Sequence, residues 1–470
     1  MKKVTLFWIL TLGILWTVGT ATPGWSAYSS HQNDQDINNF LSIYPFTRSS
    51  KLNDCSLCHP GGNITQGGKT SSYGSCDYCH ITYGIQPPYG QIPLNAYGTD
   101  YKNAGRTQLA LHTIEAEDSD GDGYSNLDEI HALTFPGVNK DHPGLLPATT
   151  VVFAQKDIQK LPRHKQFLLY NAQKSQDFYA TYEGPTVADL LQKVNIQSGA
   201  KQITVFAPDG FSKTFPIDAS DPQTPPNFQY DVLGPYPQGI YYAGLDFVDY
   251  PYRPVYHDGS TIPDKLYMIL AYKRNGDFLT PGILQPDPNT PGRLVLNGEG
   301  PFRLVNPQKV AGAPDRPSTA TTPVGDGFDY DPNKDHNAGS SVRSVTAIRV
   351  EPLPPGTTDF AWTEGGWNLV DQKKIVIYGA IDPVTYPITG EIVDKKRNPV
   401  TDVLVTFGLA SMGQAGAATS DSDGKFEQNL PAGTYTITPS KAGYTFTPDS
   451  KEINLSKNGA KIKFRANPVP

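Results

Sequence analysis

The C-terminal part of the chain alternates apolar and polar residues in short runs. Examples are "ITGEIVD", "VLVTFG", "KFEQNL", "GTYTITPS" and "KIKFRA", separated by turn-forming stretches such as "KKRNP", "SDSDGKF" and "SKNG". A period of two places every second side chain on one face of a strand, so each run predicts a half-buried β-strand. Closely spaced strands of this kind predict an Ig-like or transthyretin-like β-sandwich over residues 385–470.

The central region, residues 148–384, has apolar runs of strand length, including "QITVFAPDGF", "KLYMILAYK" and "KIVIYGA". One stretch differs, because "TVADLLQKVNI" carries Val187, Leu190, Leu191 and Val194 at helical spacing. We therefore predict a β-rich α+β domain with long Pro/Gly loops.

A longer apolar run opens the chain. Lys2 and Lys3 precede the 15 mostly apolar residues Val4–Val18, and small residues follow. This layout predicts a secretory signal peptide over residues 1–27, cleaved after Ala27 or, alternatively, after Ala21. A retained membrane anchor is the other interpretation, but the run is short for a span. No later run is long enough, so we expect no membrane span after signal removal.

Composition narrows the picture further. The 44 glycines, 42 prolines and 26 tyrosines suit turn-rich β structure better than helical bundles. The formal net charge of −7 disfavours nucleic acid as a partner, because a phosphate backbone is repelled. The signal predicts export, and for a Gram-negative bacterium this means the periplasm, the outer surface or the extracellular space.

The chain has four cysteines, all of them in "DCSLCHPG" and "SCDYCHI". Each pair has the spacing C-x-x-C and is followed directly by histidine: Cys55, Cys58 and His59, then Cys76, Cys79 and His80. Disulfides are common in exported chains, and zinc also binds Cys and His. Covalent haem fits better, because two thioether bonds need two closely spaced thiols and the next residue falls under the iron.

The two segments resemble the attachment sites of dihaem and multihaem c-type cytochromes. The resemblance implies two covalent haems in residues 28–147, with His59 and His80 as axial ligands. The methionines, Met1, Met268 and Met412, lie far from these sites, so histidine is expected as the sixth ligand. Among His31, His112, His131 and His142 we favour His112, on a predicted helix, "NAGRTQLALHTIEAE". Bis-His haems would be low-potential electron carriers.

Residues Asp118 to Glu129, "DSDGDGYSNLDE", match the EF-hand calcium loop at every required position. Calcium takes six to eight oxygen ligands. The pattern assigns carboxylates to Asp118, Asp120, Asp122 and Glu129, a backbone carbonyl to Tyr124, and a direct or water-mediated oxygen to Asn126. The alternative is an acidic turn that holds no ion. The chain has no second such loop, so the site resembles the solitary structural calcium sites of dockerins and exported cytochromes.

Two further resemblances concern the rest of the chain. "GPTVADLLQKV", "VFAPDGFSKTFPI" and "GEGPFRLVNPQ" resemble the molybdopterin-binding domain of sulfite-oxidase-type enzymes. That family holds molybdenum through a cysteine thiolate, and no cysteine follows Cys79, so the resemblance implies the fold without its metal chemistry. "ITGEIVD", "SDGKF" and "LPAGTYTITPSKAGY" resemble the carboxypeptidase-regulatory-like β-sandwich.

The sequence thus predicts a multidomain chain: a small, mainly helical or irregular dihaem domain, a central α+β domain and a C-terminal β-sandwich. The expected function is electron transfer by an exported dihaem cytochrome whose partners are other cytochromes or an extracellular acceptor. The alternatives are an oxidoreductase that binds its substrate in the central domain, and a surface adhesion or matrix protein bearing a haem module. No catalytic constellation emerges, and we assign no catalytic residue.

Overall fold

The structure is a computed structural model of the 470-residue chain. It describes residues 35–53, 57–59, 62–66, 69–73, 94–172, 176–208, 211–217, 230–241, 259–286, 294–316, 330–359, 367–409 and 414–469. The signal peptide predicted over residues 1–27 lies outside these ranges. Within them, no helix has both the length and the apolar character needed to cross a membrane.

The N-terminal region is helical, with one short hairpin. Its helices are α1 (Gln35–Ile43), a 3₁₀ helix (Pro45–Ser49), α2 (Ala96–Asn103), α3 (Gln108–Thr113) and α4 (Asn126–Ala132), and the hairpin pairs β1 (Gly62–Gln66) with β2 (Lys69–Tyr73). Side chains cap three of the helices, because Asn95, Thr107 and Ser125 each accept a hydrogen bond from the first turn. The helices enclose a small core of Phe40, Tyr44, Leu52, Tyr97, Leu111, Ile114 and Ile130.

The helix predicted over "NAGRTQLALHTIEAE" is shorter than expected. Gly105 and Arg106 adopt left-handed backbone conformations, with φ of 104° and 56°, which end α2 and separate it from α3. Thr107 then caps α3 by accepting a hydrogen bond from the Ala110 N–H at 3.1 Å. His112 lies in the last turn of α3 as predicted.

Among the described residues, the central region contains most of the strands, three short α-helices and a 3₁₀ helix (Asn337–Ser340). The strands are β3 (Leu146–Pro147), β4 (Thr150–Ala154), β5 (His164–Tyr170), β6 (Phe178–Gly184), β7 (Gln202–Phe206), β8 (Ser212–Pro216), β9 (Ile240–Tyr241), β10 (Ser260–Thr261), β11 (Ile269–Ala271), β12 (Lys273–Arg274), β13 (Asp277–Phe278), β14 (Ile283–Pro286), β15 (Leu294–Asn297), β16 (Arg303–Val305), β17 (Ala347–Glu351), β18 (Thr357–Thr358) and β19 (Lys374–Gly379). The helices are α5 (Gln155–Ile158), α6 (Val187–Lys193) and α7 (Trp367–Asp371). Helix α6 confirms the helix predicted from the spacing of its apolar residues, and Thr186 caps it.

A five-stranded sheet organises this region, in the order β4-β19-β17-β7-β8. Its strands are antiparallel except for the parallel pair β17 and β19. Strand β19 is buried on both faces: Ile375 and Ile377 belong to the large central core, whereas Val376 and Tyr378 belong to the core of the C-terminal region. A four-stranded sheet, β13-β12-β6-β5, contributes to the central core.

The C-terminal region is a sandwich of two four-stranded sheets. Its strands are β20 (Thr385–Val393), β21 (Leu404–Leu409), β22 (Gln414–Thr419), β23 (Lys425–Pro431), β24 (Gly433–Ser440), β25 (Tyr444–Thr447), β26 (Lys451–Leu455) and β27 (Ala460–Pro468). One sheet has the order β23-β20-β27-β25 and the other β22-β21-β24-β26. Along β27, Ile462, Phe464 and Ala466 point inward while the residues between them are exposed, as the alternation predicts.

The described architecture is therefore multidomain and mostly β, with few helices and a C-terminal β-sandwich. The prediction of a sandwich is confirmed. The N-terminal region has helices, but its assignment as a dihaem domain stays a prediction.

Candidate metal centres

The acidic loop lies between α3 and α4. Backbone N–H groups of Gly121, Asp122 and Gly123 all donate to the Asp118 carboxylate, at 2.8, 3.1 and 2.8 Å. Carboxylate oxygens of Asp118, Asp120 and Asp122, one from each residue, lie within 4.8 Å of one another. The two glycines have φ of 77° and 100°, which lets the backbone turn tightly around Asp118. Three of the predicted ligands, Asp118, Asp120 and Asp122, are thus brought together by local backbone geometry, and Glu129 is not part of this group.

Several of these carboxylate oxygens are buried without a hydrogen bond. Among the described residues, none donates to either oxygen of Glu129. Glu129 is 0% exposed, and burial, together with the charges of Asp120 and Asp122, raises its pKa to about 9. Burial and the charge of Asp122 also raise the pKa of Asp120, to about 6. An oxygen-seeking divalent cation would supply the missing partner, so the donor set fits calcium.

Asn126 has a framework role that the motif did not predict. It is fully buried, and its side-chain N–H groups donate to the Ile114 carbonyl at 2.7 Å and to Ser119 Oγ at 2.9 Å. Its side-chain oxygen accepts from the Ser119 N–H at 3.3 Å. Asn126 thus ties the end of α3 to the start of the loop, and its role as a calcium ligand stays a prediction.

The first C-x-x-C-H segment is described in part. Cys58 and His59 are half-buried, and Cys58 packs against the helical core. The Cys58 carbonyl accepts from the Asn95 N–H at 2.9 Å, and the Asn95 side chain donates to the Leu57 carbonyl at 3.0 Å. Gly98 lies so close to the Cys58 carbonyl that a Cβ there would overlap it. The segment is thereby fixed on the first turn of α2.

The remaining predicted haem ligands lie outside the described residues: Cys55, Cys76, Cys79 and His80. The described residues of the first segment fit a c-type haem attachment. The Cys58 thiol and the His59 imidazole are adjacent and partly open to solvent, and hydrogen bonds from Asn95 hold their backbone in place. How a haem would sit there stays a prediction.

The candidate distal histidines have other contacts in this structure. His112 is exposed, and its Nδ1 lies 2.8 Å from Glu115 Oε1. His131 packs against Phe46, with ring centroids 5.5 Å apart. His142 stacks on Tyr124. The assignment of His112 as an axial ligand therefore stays a prediction.

The central domain contains a buried ionic network that the sequence did not predict. Arg303 contacts Glu299 at 2.8 Å, donates to the Tyr170 hydroxyl, and lies 4.3 Å from the Tyr170 ring centroid. Arg274 also contacts Glu299, at 2.9 Å. Although burial opposes it, the two arginines lower the pKa of Glu299. The only hint of this ion pair in the sequence is the spacing of four residues between Glu299 and Arg303 in "GEGPFR".

A second buried pair joins Asp315 and His336, 3.1 Å apart. Asp315 is fully buried, and its Oδ2 also accepts the Asp331 N–H at 2.9 Å. The Tyr330 ring stacks on His336 at 4.9 Å. Asp315 and His336 are thus part of the packed interior, and we assign no catalytic role to either residue.

Comparisons with known proteins bear on the C-terminal region. No curated protein matches the chain. Among solved structures, a Streptococcal ancillary pilin is 20% identical, with 20% of this chain and 35% of the pilin covered and a TM-score of 0.16. The 3-chlorocatechol 1,2-dioxygenase from Rhodococcus opacus 1CP is 13% identical, covering 19% and 61%, also with a TM-score of 0.16. The shaft pilin SpaA from Lactobacillus rhamnosus GG is 14% identical, covering 21% and 49%, with the same score.

The chain thus spans less than two thirds of each of these structures, and such TM-scores carry no argument about its function. The family comparison is firmer, since residues 387–462 match the carboxypeptidase regulatory-like domain. This match agrees with the sandwich that the structure forms over β20–β27. Residues 387–462 are therefore a carboxypeptidase regulatory-like domain.

Proposed function

We propose that the chain is an exported dihaem c-type cytochrome that carries electrons in the periplasm or at the cell surface to partner redox proteins. The two C-x-x-C-H segments, which use every cysteine of the chain, support this proposal. The observation that carries it is the position of Cys58 and His59, half-buried beside the helical core. Bound haem would supply reversible one-electron chemistry, while Asn95 and Gly98 hold the attachment segment in place.

The test is haem stoichiometry in the mature chain, expressed with cytochrome c maturation machinery. A pyridine haemochrome assay should give two covalent haems per chain, and the spectra should be low-spin. The double variant Cys55→Ser/Cys58→Ser should keep one haem, and so should Cys76→Ser/Cys79→Ser. No covalent haem in the native chain would overturn the proposal and return the cysteines to zinc or disulfides. A high-spin band would favour the oxidoreductase instead.

We further propose that residues 118–129 bind one structural calcium ion. Glu129 supports this, because a fully buried carboxylate beside three aspartates is costly without a cation. Asp118, Asp120, Asp122 and Glu129 would supply the carboxylates, and the ion would hold the loop against α4.

Calcium titration calorimetry tests this second proposal on the full chain. Glu129→Gln should weaken binding by more than an order of magnitude. Asp128→Asn is the matched control, since it removes the same charge one residue away, from an exposed side chain bonded to Ser125. Equal calcium affinities for the two variants would contradict the assignment of Glu129 as a ligand.

A further inference from the structure

The segment that follows α4, residues 135–142, contacts the calcium loop at two places. We name it the junction segment. The Asn139 side chain donates to the Asp120 carbonyl at 3.3 Å. The His142 ring stacks on the Tyr124 ring, with centroids 5.6 Å apart and planes 5° from parallel. Asp120 and Tyr124 are both predicted calcium ligands, so the junction segment contacts the backbone of one predicted ligand and the side chain of another.

The same segment contacts the central domain through Asp141. Asp141 Oδ2 lies 2.7 Å from Lys51 Nζ, and Lys51 Nζ lies 2.5 Å from Thr358 Oγ1. The Thr358 hydroxyl in turn donates to the other Asp141 oxygen, closing a three-membered clamp. The side chains of Lys51 and Asp141 are only 8% and 10% exposed. Each member of the clamp comes from a different part of the chain.

Backbone pairing adds to the clamp. Strand β3 runs parallel to β18, and just beyond it the Ala148 N–H donates to the Thr358 carbonyl at 3.0 Å. Asp141 also accepts the Phe135 N–H at 2.9 Å, which folds the junction segment onto itself. The position of Asp141 is thus fixed jointly by Lys51, Thr358 and the segment's own backbone.

The junction segment thus has contacts on both sides. Asn139 and His142 contact the calcium loop, and Asp141 contacts Lys51 and Thr358. An ion that fixes the loop therefore favours the geometry in which Asp141 meets Lys51 and Thr358.

We infer that calcium binding in the 118–129 loop is coupled to docking of the N-terminal region on the central domain, with Asp141 as the positioning residue. This inference rests on the proposed calcium site. Calcium then does more than staple its own loop, since it stabilises the contact between two domains. Coupling free energies are reciprocal, so loss of docking in a variant must weaken calcium binding by up to the factor by which calcium strengthens docking.

Thr358→Val in the full chain tests this reciprocity, because Thr358 belongs to the central domain. The variant should bind calcium about five- to tenfold more weakly than the native chain, at the lower end of the usual range of such couplings. Thr357→Val is the matched control, since the Thr357 hydroxyl bonds only the Pro354 carbonyl of its own turn, at 2.6 Å, among the contacts the structure describes. It should leave calcium affinity unchanged.

Hydrogen exchange of the Ala148 amide in the native chain gives a second measurement that needs no variant. Its protection should rise when calcium replaces chelator. The inference is overturned if calcium binds normally but neither Thr358→Val nor Ala148 exchange responds. If the native chain binds no calcium, both the proposed calcium site and the proposed coupling are wrong. This result differs from the previous one, in which the calcium site is correct and only the coupling is wrong.

Discussion

Substituting Glu129 by glutamine should raise the stability of the metal-free chain and lower the stabilisation that calcium adds. The side chain is fully buried, and no residue that the structure describes donates a hydrogen bond to its carboxylate. Without a cation, burial and the charges of Asp120 and Asp122 raise its pKa from 4.5 to about 9. In chelator at neutral pH, the folded chain must therefore hold a proton at Glu129 that the unfolded chain releases.

The sign of the pH dependence follows from this proton. The folded state binds this proton more tightly than the unfolded state. The contribution of Glu129 to the free energy of unfolding is therefore complete below pH 4.5 and declines until about pH 9. Each pH unit inside that window costs about 1.4 kcal/mol, which amounts to about 3 kcal/mol at neutral pH. Glutamine carries no charge, so metal-free Glu129→Gln should be more stable than the metal-free native chain by about this amount.

Calcium should reduce this advantage. At a free concentration of about one thousand times Kd, a ligand stabilises the folded state by about 4 kcal/mol. Glu129→Gln binds calcium more than about tenfold more weakly, so it forfeits at least about 1.4 kcal/mol of that gain, because a neutral amide replaces a bidentate carboxylate. The stability difference between the two chains should shrink by at least this amount when calcium is added.

Native-state hydrogen exchange in increasing urea measures both effects locally. The reporter is the Asn126 amide, which donates to the Glu117 carbonyl at 2.7 Å and closes the loop. The pH series runs from about pH 5 to about pH 8, inside the window set by the pKa of Glu129. Asp128→Asn should follow the native chain throughout. A metal-free Glu129→Gln chain that is less stable than the native one, with the same pH slope, would refute the reasoning.

Two other substitutions test the attachment segment and the central network. Gly98→Ala forces a Cβ into the Cys58 carbonyl, so it should lower stability by about 2 kcal/mol and reduce haem incorporation, whereas Gly199→Ala meets nothing within 4 Å and should be neutral. Equal haem content in the two variants would contradict this. Arg303→Met removes the buried partner of Glu299 and should cost about 3 kcal/mol in urea unfolding. A change below about 1 kcal/mol would show that Arg274 alone suffices to hold Glu299.

Features set by neighbouring residues could be predicted from the sequence. The acidic loop is one, because Asp118, Asp120 and Asp122 converge through hydrogen bonds made within the loop itself. The helix Val187–Lys193 is another, since its apolar spacing and its Thr186 cap are both local. The sandwich strands follow for the same reason, because alternation is a property of each strand alone.

Contacts between distant positions could not be predicted. Lys51 and Asp141 are 90 positions apart, and Asp141 and Thr358 are 217 apart. A lysine, an aspartate and a threonine at such separations carry no pattern, since only the packing of two domains brings them together. The break between α2 and α3, inside the helix predicted over "NAGRTQLALHTIEAE", was missed for a different reason: Arg106 adopts a left-handed backbone conformation that an arginine side chain does not predict.

The two-sided burial of the five-stranded sheet has a consequence for how the C-terminal domain could be inherited. Val376 and Tyr378 of β19 share one core with Phe407 and Phe464 of the sandwich. A gene rearrangement that moved residues 387–462 alone would leave those two β19 side chains facing water. It would also remove the β19 contacts that complete the core of the sandwich. The sandwich and the five-stranded sheet should therefore be inherited together. Substitutions in the core that they share should occur in compensating pairs, one on each side.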